Sequence, residues 1–147
     1  YARQERITKA DIDAVAAPVL EAQVFDLTRA VARGDYDRAS ELLGSLLKLQ
    51  EEPVMLLALL GKELRRLYTA RVALDTGRDK FWVMEQWNIR FESVARQLLD
   101  NARRVDQRWC AGAVRRCYEA DVRMKSVNGV SGAEELKLLL MELAQGA

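Results

Sequence analysis

The sequence predicts an all-α fold, a compact bundle of six or seven helices, on three observations. Only two prolines and eight glycines interrupt 147 residues. Between them apolar residues recur at intervals of three and four, the spacing that buries one side of a helix. No segment shows the alternation of a half-buried strand. No repeat and no low-complexity linker divides the chain, and its length suits roughly one core.

Each element follows from local signals. A short helix is expected after Thr8, whose hydroxyl can cap it, ending before Pro18. From about Ala22 to Arg33 a second helix buries Val24, Leu27 and Val31, and Gly34 suits its left-handed cap. Asp35 caps the next, with Ala39, Leu42, Leu43, Leu46 and Leu47 inward, ending near Gln50. Pro53 opens a long helix to about Asp75, because a first-turn proline lacks only an N–H that would have no intrahelical partner. Its opening turns are apolar all round while few apolar residues follow Gly61, so its start is read as central and its end as peripheral.

Thr76-Gly77-Arg78-Asp79 breaks that helix, and Phe81 to Trp87 forms a short aromatic one. A helix over about Arg90 to Val105 carries Phe91, Val94, Ala95, Leu98, Leu99, Ala102 and Val105 on one stripe. Asp106 caps a longer helix that buries Cys110, Ala113, Cys117, Ala120 or Asp121, and Met124, ending near Ser126. Ser131 with Glu134 makes a capping box for the last helix, whose stripe is Leu136, Leu139, Leu140 and Leu143.

Composition limits the chemistry. Histidine is absent, which removes the commonest general base, the nucleophile systems that depend on it and imidazole metal sites. Gly61-Lys62 lacks the rest of a phosphate-binding loop, with Leu56 and Glu63 where glycine and a hydroxyl are required. The acidic pairs Glu51-Glu52 and Glu134-Glu135 stand at helix starts, where the dipole stabilises negative charge. The residues therefore predict no catalytic group, no metal and no cofactor or small-molecule substrate.

The 23 basic and 22 acidic residues nearly cancel, so any basic surface must be local. One candidate is Arg96 to Lys125, with eight cations (Arg96, Arg103, Arg104, Arg108, Arg115, Arg116, Arg123, Lys125) against Asp100, Asp106, Glu119 and Asp121. It can be a solvated helix face, a phosphate contact or a contact for an acidic partner. No aromatics interleave with these arginines, and Trp109 falls next to the buried stripe, so direct base readout is not expected. Asp121 and Lys125 stand four apart in the favourable order for a helical pair, which can anchor the final turn or meet a neighbour.

The longest apolar run, Val54 to Leu60, is far shorter than the ~20 residues of a bilayer crossing. Cys110 and Cys117 lie seven apart on one helix, about 10 Å, beyond disulfide reach. They read as reduced core residues of a cytoplasmic protein. The chain begins Tyr1-Ala2-Arg3-Gln4, without initiator methionine or signal segment, as expected of a piece of a longer protein.

The order of these pieces resembles the C-terminal part of the delta subunit of the bacterial DNA polymerase III clamp loader. The similarity starts at Ile7-Thr8-Lys9-Ala10-Asp11-Ile12. It continues through Val24-Phe25-Asp26-Leu27-Thr28, Gly34-Asp35 with Ala39, and Glu51-Glu52-Pro53-Val54-Met55-Leu56-Leu57 to Arg65-Arg66-Leu67. It closes with Ala120-Asp121, Lys125 and the leucine-rich last helix. Where the family usually starts a helix with His-Pro, this chain has Trp87-Asn88-Ile89-Arg90-Phe91.

The resemblance implies that residues 1–18 are a remnant of a preceding helical lid and that 19–147 are the collar through which the clamp-loader subunits join into a ring. It implies a non-catalytic role, other loader subunits as partners, a sliding clamp gripped by an N-terminal domain, and primer-template DNA within the assembled complex. Specific interfaces bury on the order of 1,600 Å² around aromatic and arginine anchors. On that criterion the contact candidates are Arg65, Arg66, Tyr68, Arg115, Arg116, Tyr118, Asp121 and Lys125, and the loop with Val127 and Asn128 is a candidate to approach DNA. The competing readings are a nucleic-acid-binding module using residues 96–125 and the collar of a sister subunit.

Overall fold

The computed structural model describes residues 9–49, 51–126 and 131–146. Seven helices and no strand occur among them: α1 Lys9–Ala32, α2 Tyr36–Lys48, α3 Pro53–Asp75, α4 Lys80–Trp87, α5 Glu92–Ala102, α6 Gln107–Met124 and α7 Gly132–Ala144. The all-α expectation holds. Thr8, Val127 and Asn128 lie outside the described residues.

The predicted caps form. Asp35, Asp106 and Ser131 each accept a backbone N–H of the helix they open, from Arg38, Trp109 and Glu134 respectively, satisfying donors that would otherwise have no partner. Asp79 does the same for α4, accepting from Phe81 and Trp82. Gly34 takes the left-handed conformation, φ 75°, that any side chain would strain. At Gly132 a Cβ would come within 2.6 Å of the Pro53 ring, so the missing side chain lets the start of α7 sit against the start of α3.

Three expectations are corrected. The two helices expected on either side of Pro18 are one helix, α1. A proline inside a helix removes one backbone hydrogen bond and costs about 3 kcal/mol, but it need not end the helix where later turns are anchored, and here Val24, Leu27 and Val31 are buried. The far end of α3 is central rather than peripheral: Leu67, Ala70 and Ala73 are wholly enclosed, while Val54 and Met55 at its start are exposed. Expecting a peripheral end counts only the larger apolar side chains after Gly61, yet the small size of Ala70 and Ala73 lets α5 and α6 approach α3 closely. The helix expected from Arg90 begins at Glu92, and Phe91 is its extended N-cap with 68% of its surface exposed, because Asn88 at φ 52° turns the chain there.

The core gathers around α3, which packs against α1, α4, α5, α6 and α7. Arg71 ties it to its neighbours: the guanidinium donates to the carbonyls of Ala102 at 3.2 Å and Val105 at 3.3 Å and pairs with Asp75. Hydrogen bonds from Arg71 and then Gln107 hold the Asp75 carboxyl below its ordinary range.

Candidate subunit interface

The interface candidates separate into three environments. Arg65 and Tyr68 of α3 border a cleft of about 530 Å³ that is walled also by Val72, by Trp82 and Trp87 of α4, and by Val114 of α6. Tyr118 lies one turn beyond Val114 on the same side of α6 and is 68% exposed. Arg65 is close enough to α6 for its charge to act on Cys117, whose thiol burial pushes up to about 12 with a small opposing effect from that guanidinium. Local chemistry fixes the aromatic wall. The Trp87 indole donates to the Thr69 hydroxyl at 2.9 Å, and the Arg78 guanidinium lies 4.7 Å from the centre of a Trp82 ring, a cation–π stack.

Arg66 and Arg116 face elsewhere. Arg66 donates to the buried Glu63 at 2.7 Å, beside a second groove bordered by Phe25, Asn88 and Phe91. Burial raises the Glu63 carboxyl above its ordinary value of 4.5, and the Arg66 charge opposes that rise. Arg116 reaches across to Glu142 of α7 at 3.0 Å, and Arg123 binds Glu135 at 2.7 Å. The Glu135 side chain is only 2% exposed, so this ion pair lies within the α6–α7 seam. Neither acid stands out in the sequence as a partner of these arginines, because both lie outside the basic stretch and the place of Glu135 at a helix start is already explained by the dipole.

Asp121 and Lys125 form the predicted helical pair at 3.0 Å, with side chains 35% and 63% exposed. Of the two residues the spacing offers at that point of α6, Ala120 is the buried one, and Asp121 sits at the margin. Arg115 is exposed on α6. Within the basic stretch, Arg96, Arg103, Arg116, Arg123 and Lys125 pair with acids, whereas Arg104, Arg108 and Arg115 form no salt bridge among the described residues. Trp109 is half-buried, and its indole donates to the Leu143 carbonyl at 3.4 Å. Both cysteines are buried and free. No helix among the described residues is long and apolar enough to cross a membrane.

What this arrangement offers is contact: an aromatic cleft edged by arginines on one side, and an internally neutralised ionic seam on the other. A search of curated proteins gives no match. Among solved structures, the chain is similar to the Bacillus subtilis DNA clamp loader delta protein, with a TM-score of 0.78 at 20% identity, covering 95% of this chain and 40% of that one. The chain thus spans less than half of the length of that protein, and the likeness extends to the fold. The family model for the DNA polymerase III delta subunit, C-terminal domain, matches residues 21–143. With nearly the whole described bundle inside that match, the chain belongs to the family of C-terminal domains of the DNA polymerase III delta subunit.

Proposed function

We propose that residues 19–147 are a clamp-loader collar, a non-catalytic helical module that holds a delta subunit in a ring with other loader subunits in the cytoplasm. Residues 1–18 are then the end of the preceding lid, joined to the collar through the continuous α1. The family match over residues 21–143 carries this reading. The shared fold supports it, as do the exposed Arg65, Arg115 and Tyr118, a composition typical of interface centres. The sliding clamp is engaged by an N-terminal domain and primer-template DNA by the assembled ring, so this module positions that machinery and turns over no substrate.

The competing nucleic-acid module draws less support, since most cations of the 96–125 stretch are already paired. The test uses the full-length protein with its loader subunits in size-exclusion chromatography. Deleting residues 19–147 should abolish co-elution; a deleted protein that still joins the ring in stoichiometric amount refutes the proposal.

A further inference from the structure

We infer that the cleft between α3, α4 and α6 receives an acidic, apolar-faced segment of a neighbouring protein subunit. The inference rests on the collar reading and adds the chemistry of the partner. The walls are mostly aromatic and aliphatic, from Tyr68, Val72, Trp82, Trp87 and Val114, with the uncharged polar Thr69 and Gln86 among them, and the one charged side chain is Arg65. A carboxylate is absent from the lining. One further arginine borders the region, Arg78, stacked on the Trp82 ring.

Neither Arg65 nor Arg78 forms a salt bridge among the described residues, although Arg66, Arg71, Arg103, Arg116 and Arg123 all do. Other arginines, among them Arg104 and Arg108, are also without a salt bridge among the described residues, but here the positive charge borders an aromatic wall. An apolar side chain entering there removes aromatic surface from water, and a carboxylate beside it meets Arg65 or Arg78 in a charge-assisted hydrogen bond.

A single-stranded nucleic acid would also bring negative charge, but it binds such surfaces by stacking bases on free aromatic faces. Here Arg78 covers the Trp82 ring, the Trp87 indole is held by Thr69, and Tyr68 is half-buried. What remains is a gap for side chains rather than a platform for bases. Its volume, about 530 Å³, falls within the range of roughly 300–1,000 Å³ typical of formed binding clefts.

The test measures affinity of the full-length protein for its loader subunits at low and high salt, by sedimentation. The R65E/R78E double variant should lose at least about ten-fold in affinity at low salt and lose the wild-type salt dependence. R65Q/R78Q should lie between, which guards against a fold defect from charge reversal. W82A should weaken assembly while keeping the salt dependence. If both arginine variants assemble with wild-type affinity and salt response while W82A is impaired, the cleft is an interface but the acidic partner is wrong. If none of the variants affects assembly, the cleft is not the interface, and the separate deletion of residues 19–147 tells whether the collar reading falls with it. Lost affinity for a fluorescent single-stranded oligonucleotide with unchanged assembly would also overturn the inference, assigning the cleft to nucleic acid.

Discussion

Two helices carry consecutive arginines, Arg65-Arg66 on α3 and Arg115-Arg116 on α6, and the fold divides both pairs in the same way. The second arginine of each is committed inward, Arg66 to Glu63 and Arg116 to Glu142. The first is exposed, with no salt bridge among the described residues. Successive helix positions point about 100° apart, so two adjacent identical residues report to different surroundings. The α6–α7 seam and the α3–α4–α6 cleft are thus built from the same residue type for different ends. One seam spends its positive charge on holding helices together, and the other cleft leaves charge for something outside the fold.

The sharpest way to break that contrast is stability. Replacing Arg123 by alanine strands the enclosed Glu135 carboxylate, which should cost about 2–3 kcal/mol, the dipole of α7 offsetting part of the loss. Glu135→Gln should cost less, because the half-exposed Arg123 can turn to water. Arg115→Ala should stay within about 0.5 kcal/mol of wild type. Urea unfolding of the three variants gives the order, and an Arg115 effect equal to that of Arg123 would erase the distinction between the two regions.

Local signals made most of the fold legible. The caps at Asp35, Asp106 and Ser131, the turn at Gly34 and the stripes of α2 and α7 depend on residues within one or two helical turns, and they appear as read. The failures involve distance or size. Glu135 and Glu142 neutralise arginines 12 and 26 residues away, so a charge count confined to residues 96–125 overstated the basic surface. Ala70 and Ala73 are packing sites because they are small, and a count of large apolar side chains after Gly61 passes over them. Of the interface candidates, Arg65 and Tyr68 were brought to one cleft, while Arg66 and Arg116 were not; the walls from Trp82 and Trp87 had no signal beyond an aromatic run.

Glu63 sharpens the contrast through pH. Its folded pKa lies above its ordinary 4.5, chiefly through desolvation. In the window between these two values the folded state therefore binds more protons than the unfolded one. The corresponding stability is fully present below the unfolded value and is lost as pH rises through the folded one. Glu63→Gln should remove this slope, so the difference between wild type and variant should change across that window and then level off. Thermal unfolding scans in a pH series read it. A difference independent of pH would mean that the pull of Arg66 cancels the desolvation and leaves the carboxyl with the same affinity for its proton in the folded and unfolded states.

The smallest effect belongs to Asp121 and Lys125. Their pair spans one turn at the end of α6 and is open to solvent on the lysine side, so Lys125→Ala should cost about 0.3–0.5 kcal/mol at low salt and less at high salt. The double variant with Asp121→Ala should show a coupling of the same size, because neither residue has another ionic partner among the described residues. A coupling above about 1 kcal/mol would place this pair with the structural seam. A coupling near the expected value, joined with a larger loss in ring assembly, would place it with the cleft, as a surface pair whose value appears only when a neighbour desolvates it.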